Sequence, residues 1–358
     1  MKLTKFATNI LSRNLPIVSC PGLTGCSGRI EKQDLCIIME YGIQNTKEDM
    51  GMKRVFAVLL ACLLALSVCA VAEEKDPAHE QGYTETGDGW TSTVTWMKNG
   101  ELNIFGKLYY PADFDESKKY PAIIMCHGTD ATHATFEKRQ WPMKMAQQGY
   151  ISYVFDFCGG AEKSLSDLDV LHFSGETMQA DIVAVLEQIK ALPYVNTDKI
   201  FIMGQSRGGI MAAMAAGRRP DEYAGLILLY PGMGMIDRMI ANYPDLSAVE
   251  GDTIVDNGHT FGKCFLTDVY DWDVAGTCSQ YKGNVLLIHG IADKTVEYTQ
   301  SLKALTEYYA GSESQLVLVS GKQSVHAFDV FWKPGQVIAW NAVTDYMATE
   351  VAREKKDK

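Results

Sequence analysis

From residue 120 onward the chain repeats one alternation: a short, continuous apolar run, then a longer stretch whose apolar positions recur at helical spacing. The apolar runs cover residues 121–126, 151–157, 200–203, 225–230, 284–289 and 315–320. Helical patterns fall at 136–148, 177–192, 207–216 and 301–309, and a last one at 337–355 closes the chain. Strands that are apolar throughout, instead of alternating, are buried on both faces. Helices between successive strands of that kind predict a parallel sheet covered on both sides. Ahead of it, 91–97 and 101–110 flank Lys98-Asn99-Gly100, a hairpin signal that would place an antiparallel pair at one edge. The rhythm breaks once. Residues 231–283 are too many for an ordinary connection and carry Phe261, Phe265, Tyr270 and Trp272, rings that require burial. We expect an inserted lid there.

The pattern before residue 75 is of another kind. Lys53 and Arg54 precede an apolar run from 55 to 68, followed by Ala70-Val71-Ala72 and then Glu73-Glu74. A basic start, an apolar centre and an A-x-A site describe a secretory signal peptide. The run is short for a membrane span, which needs about 20 residues. Residues 50–72 are therefore expected to be a signal peptide cut after Ala72, and a membrane anchor through 55–72 is the rival reading. Residues 1–49 are expected to be a non-native or disordered extension, with translation starting at Met50 or Met52. The remainder, 73–358, has the size of one large α/β domain.

Composition narrows the function. The chain is 47% apolar and 22% charged, an ordinary globular balance, with a formal net charge of -11. So acidic a chain lacks the electrostatic footprint for nucleic acid or an anionic lipid surface. Cys126, Cys158, Cys264 and Cys278 follow the proposed leader. An exported chain permits disulfides, and Cys264 with Cys278, in one loop-rich stretch, is the expected pair if any forms. Cys126 and Cys158 end apolar strands and are expected to be buried free thiols.

The strongest chemistry lies at 204–209. The run 200–203 leads into Gly204-Gln205-Ser206-Arg207-Gly208-Gly209 and then a small-residue helix. This is G-x-S-x-G between a strand and a helix. A turn sharp enough to thrust the serine outward leaves no room for Cβ atoms at its neighbours, hence Gly204 and Gly208. The helix start aims N–H groups and its positive dipole end where an oxyanion would form.

A serine needs a base, and the base an orienting acid. In this layout the chain order is Ser, acid, His. Asp293 follows the run 284–289 and His326 follows 315–320, both at C-terminal strand ends, where parallel-sheet sites assemble. Asp268, Asp271 and Asp273 are the competing acids. His127 and His289 are expected to shape loops, and His79, His133, His172 and His259 to lie on the surface or lid. The oxyanion hole would use the N–H of Arg207 and that of Thr129, in the loop Cys126-His127-Gly128-Thr129, where Gly128 lets the backbone approach the substrate.

Through His127-Gly128-Thr129, Gly204 to Gly209, the stretch 285–290 with Asp293, and His326-Ala327-Phe328, the chain resembles the α/β-hydrolase superfamily. Within it the chain is similar to the feruloyl/cinnamoyl esterase and dienelactone-hydrolase-like group, which also carries a lid between the sixth and seventh strands. The resemblance implies an α/β-hydrolase fold. It departs from the group at Glu297, often a proline there, at Val325, often a glycine, and at Arg207, often a glutamine. Arg207 would either salt-bridge nearby acids or contact a carboxylate on the substrate.

No H-E-x-x-H, paired C-x-x-C, P-loop or dinucleotide fingerprint is present, so no metal or cofactor is expected. The sequence therefore predicts a secreted or periplasmic serine esterase acting through an acyl-enzyme, with Ser206, Asp293 and His326 as its triad. Its substrate would be a small-molecule or polysaccharide-linked ester, such as feruloyl or acetyl esters of plant polysaccharides, by analogy with the group. The alternatives are a peptidase or acyltransferase of the same fold, or an inactive binding module.

Overall fold

The computed structural model describes residues 76–353; the proposed signal peptide and the extension before it lie outside the described residues. Strands β1 (Thr84–Gly87), β2 (Trp90–Asn99) and β3 (Leu102–Pro111) form an antiparallel meander. Then β4 (Tyr120–Cys126), helices α1 (His133–Lys138) and α2 (Trp141–Gln147), β5 (Ile151–Phe155), α3 (Gly175–Lys190), β6 (Val195–Gln205), α4 (Arg207–Arg218) and β7 (Gly225–Leu229) follow. The long interval holds α5 (Met235–Asn242), β8 (Thr253–Asp256), β9 (His259–Gly262), α6 (Lys263–Val269) and α7 (Val274–Cys278). The chain ends through β10 (Val285–Gly290), α8 (Thr299–Lys303), β11 (Gln315–Val319), α9 (Phe328–Phe331) and α10 (Lys333–Ala352).

Nine strands join in the order β1-β2-β3-β5-β4-β6-β7-β10-β11. The pairs from β5 to β11 are parallel, and the meander enters antiparallel through β3 and β5. This is the α/β-hydrolase arrangement. The uniformly apolar strands behave as their composition requires, since every residue of β5, β7 and β10 is buried. Alternate residues of β4 serve opposite faces. Ala122, Ile124 and Cys126 pack with α3, α4 and the inserted segment, whereas Ile123 and Met125 pack with α2 and α10. Among the described residues no helix is long and apolar enough to cross a membrane.

Several elements differ from the pattern-based reading. The single helix expected at 136–148 is two, broken where Gln140 takes a left-handed conformation and Pro142 stands in the first turn of α2. Proline has no N–H for a preceding turn, so α2 has to start afresh there. Helix α3 begins before Thr177, because the Ser174 hydroxyl accepts from the Thr177 amide and the Thr177 hydroxyl from the Ser174 amide. Strand β1 and the β8–β9 hairpin have no counterpart in the sequence reading. The hairpin's signal was Asn257-Gly258, both left-handed in the turn.

The inserted segment is packed, not loose. Phe261 and Phe265 are buried against Phe173, with ring centroids 6.0 and 5.4 Å away. The Trp272 indole N–H donates to Glu176 at 2.8 Å, and the Arg218 guanidinium, itself paired with Glu176, lies 4.5 Å over the Trp272 ring.

Cys264 and Cys278 do not form the expected disulfide. They fall on different helices: the Cys264 thiol faces the carbonyls of Leu171 and Phe173, whereas Cys278 is buried against the Met214 sulfur at 3.9 Å. Cys126 and Cys158 are buried free thiols. Alkylation of the unfolded but unreduced protein should therefore modify both Cys264 and Cys278, read by peptide mass spectrometry. A peptide linked through the two would contradict this arrangement.

Candidate active site

Ser206 stands between the end of β6 and the start of α4 with φ +52°, outside the conformations a side-chain-bearing residue prefers. Its backbone is strapped in place. The Ser206 amide donates to the Leu229 carbonyl at 3.1 Å, and its own carbonyl accepts from the amides of Gly209 and Gly232 at 2.9 Å each. The neighbours must be small because chains cross here. A Cβ at Gly204 would overlap the backbone of Gly208 and Gly209, and one at Gly208 the carbonyls of Cys126 and His127.

The structure brings the three predicted side chains together. His326 Nε2 lies 3.1 Å from Ser206 Oγ, and His326 Nδ1 lies 2.7 Å from Asp293 Oδ2. A carboxylate only accepts, so Nδ1 carries the proton and Nε2 is left to accept from the serine. Asp293 is buried, which opposes its charge. Hydrogen bonds with His289 and His326 and from the Val296 amide outweigh that burial and hold its carboxyl well below the usual range. His326 is 21% exposed, open enough to meet a ligand. Two of the three competing acids are engaged elsewhere: Asp268 accepts from the Ser174 hydroxyl, and Asp273 caps α7 through the Gly276 amide.

Thr129 and Arg207 both line the cavity beside Ser206. A Cβ at Gly128 would come within 3.1 Å of Ser206 Cβ, so the glycine leaves the space in front of the serine clear. His127 is fully buried. Its Nε2 accepts from the Phe157 amide at 3.1 Å, so Nδ1 donates to the Gly128 carbonyl at 2.9 Å. Burial depresses its pKa to about 4, and it holds the loop as a neutral ring. His289 likewise ties the acid loop, reaching Ser301 Oγ at 2.7 Å and the Val296 carbonyl at 2.9 Å. His133 is not a surface residue: it is buried, with Nδ1 2.8 Å from the fully buried Asp156. A carboxylate at the end of β5 draws it inward by accepting from both its backbone amide and its ring.

Sequence reasoning missed two groups. The first is most of the wall of the cavity, about 240 Å³: Met235, Arg238, Asp256 and Asn257 of the inserted segment, and Val296. The second is a buried network behind His326. The Asp329 carboxylate accepts from the Tyr230 hydroxyl at 2.8 Å and the Trp141 indole at 3.0 Å. Arg139 donates to the Tyr230 hydroxyl at 2.8 Å and to Gln205, and lies 3.5 Å from Asp329. The Tyr230 ring meets that of His326 edge-on, centroids 4.9 Å apart. Gln205 precedes the serine and Asp329 follows the histidine by three residues, so one buried cluster ties both loops together. Only the placement of Asp329 just after His326 hinted at it. Among the described residues no cluster of three or more His, Cys, Asp or Glu is arranged to hold a metal ion.

Two outcomes follow for variants. A depressed carboxyl contributes stability above its unfolded pKa of about 4, lost as pH falls through the lower folded value. Asp293→Asn should therefore be less stable than the unmodified protein at pH 7, with the gap narrowing at pH 3, as measured by urea unfolding. Asp329→Ala leaves Arg139 buried without its anion and should destabilise by about 3 kcal/mol at pH 7 in the same assay. A loss under about 1 kcal/mol would mean the network carries no such load.

Comparison with known proteins places this geometry in a family. Residues 136–330, which include Ser206, Asp293 and His326, match the prolyl oligopeptidase family. The chain is 27% identical over 223 residues to dipeptidyl-peptidase 5 of Porphyromonas gingivalis, covering 58% of this chain and 31% of that protein. It is 22% identical over 238 residues to the acylamino-acid-releasing enzyme of Mus musculus, covering 64% and 32%. The chain thus spans about a third of the length of the curated relatives it matches. Among solved structures it is similar to Est1E from Butyrivibrio proteoclasticus with bound ferulic acid. That likeness has a TM-score of 0.61 at 21% identity, over 72% of this chain and 100% of that one. The chain belongs to the prolyl oligopeptidase family and has the α/β-hydrolase fold.

Proposed function

We propose that the protein hydrolyses carboxylic esters with a small acyl group, using Ser206 as nucleophile, His326 as general base and acid, and Asp293 as orienting carboxylate. The observation that carries this reading is the continuous hydrogen-bonded line from Asp293 through His326 to Ser206 at the wall of the cavity. The Ser206 oxygen attacks the ester carbonyl carbon while His326 Nε2 takes its proton. The developing oxyanion is stabilised by the amides of Thr129 and Arg207. Collapse of the tetrahedral adduct breaks the bond to the alcohol, which leaves with the proton from His326. Water then attacks the acyl-serine, giving up a proton to the same nitrogen, and the acid is released with Ser206 restored.

The cavity of about 240 Å³ lies below the span common for drug-sized ligands, which favours a compact acyl group over a long peptide. The aromatic-bearing segment 231–283 acts in this reading as a lid over that group, and the likeness to Est1E with its ferulic acid supports an ester. Export, through the proposed leader at 50–72, would deliver the enzyme to polysaccharide-linked esters. A second reading, hydrolysis of aminoacyl or peptide amides, is favoured by the match to dipeptidyl-peptidase 5.

A panel of acetyl, butyryl and feruloyl esters beside aminoacyl amides tests the two readings. Ester turnover is expected to exceed amide turnover. Ser206→Ala should remove activity by at least about 10⁴-fold, while Thr129→Ala, which keeps the main-chain donor, should cost less than about tenfold. Amide turnover above ester turnover would replace the first reading with the second. A fluorophosphonate probe that failed to label Ser206 would sink both.

A further inference from the structure

Arg207 stands out by charge balance. The other basic side chains around the cavity each meet a carboxylate. Arg238 grips Asp256 with Nε and Nη2 at 2.9 and 2.6 Å, His259 meets Asp130 at 2.8 Å, and His326 meets Asp293. Arg207 has no carboxylate within ion-pair distance among the described residues. The residue is 2% exposed, with its guanidinium carbon 4.6 Å from the Phe173 ring centroid and 5.9 Å from that of Phe261. Nη2 donates to the Gly160 carbonyl at 2.7 Å, and Nε is buried with no acceptor. Burial lowers its pKa to about 10, against the pull of the Asp130 charge, so it remains a cation at neutral pH.

A cation kept this dry with no anion in contact is a standing cost to the fold. Two aromatic faces and one carbonyl offset part of it. A guanidinium offers five donors in a planar fork, a shape that fits a carboxylate through two parallel hydrogen bonds. Salt-bridging to a nearby acid, the ordinary use of such an arginine, is absent here. We infer that Arg207 forms an anion subsite in this cavity and that the ester bound there carries a free carboxylate near its scissile bond. This rests on the ester-hydrolase reading above. The net charge of -11 does not oppose it, because surface charge is screened beyond about 8 Å at physiological ionic strength.

The test is ligand binding to the inactive Ser206→Ala protein, by calorimetry, with two matched pairs. Monobenzyl succinate against benzyl methyl succinate puts the charge on the acyl side; 4-acetoxybenzoate against its methyl ester puts it on the alcohol side. In at least one pair the charged member should bind tenfold or more tightly. Adding Arg207→Gln should bring that ratio to within about threefold of unity. Where the glutamine variant does not fold, Arg207→Lys keeps the charge without the fork and must also narrow the ratio. Equal affinities in both pairs, or a ratio untouched by either substitution, overturn the subsite. Selective binding combined with no turnover of any of the four esters by the unmodified enzyme sinks the ester reading and leaves the subsite standing. Turnover without selectivity does the reverse.

Discussion

The left-handed turn at Ser206 is the constraint on which the other features of the site depend. A residue with a Cβ at φ +52° is held there against a penalty of about 1–3 kcal/mol. The restraint comes from the Leu229 carbonyl on one side and the Gly209 and Gly232 amides on the other. Those straps require β6 and β7 to be paired in register, Gln205 opposite Leu229. They also require the loop after β4 to pass so close that Gly208 cannot carry a side chain. The parallel sheet therefore sets the angle at which the Ser206 hydroxyl leaves the backbone.

Two buried clusters hold the partners of that hydroxyl. Neutral His127 fixes the Gly128 loop through its own carbonyl and the Phe157 amide. Asp329, Tyr230, Arg139 and Gln205 tie the histidine loop to the strand that ends at Ser206. These groups bear differently on Ser206: the first shapes the space before it, and the second sets the approach of His326. The left-handed turn beside the histidine falls on Ala327, φ +56°, and the Asp329 anchor lies two residues beyond it.

The inserted segment supplies what the sheet lacks. Helices and strands of the sheet deliver the serine, acid and histidine, but much of the cavity wall comes from α5 and the β8–β9 hairpin. That wall brings a neutralised pair, Arg238 with Asp256, and leaves Arg207 as a cation facing aromatic rings. The charge character of the pocket is thus decided where two distant stretches of chain meet.

The strand–helix alternation, the parallel sheet and the convergence of Ser206, Asp293 and His326 were legible in the sequence. Each depends on local signals: uniformly apolar strands, a glycine-flanked serine between strand and helix, and polar residues at strand ends. Local signals also misled. Cys264 and Cys278 are near in sequence, yet α6 and α7 turn their sulfurs to different neighbours. His133 reads as a surface residue until the buried Asp156, 23 positions later, draws it inward. The Arg139–Asp329 network joins residues almost 200 positions apart, and the pairing of Arg238 with Asp256 ties a helix to a hairpin 18 positions on. Chain periodicity records which face of an element is buried; only the folded chain decides which charges share that burial.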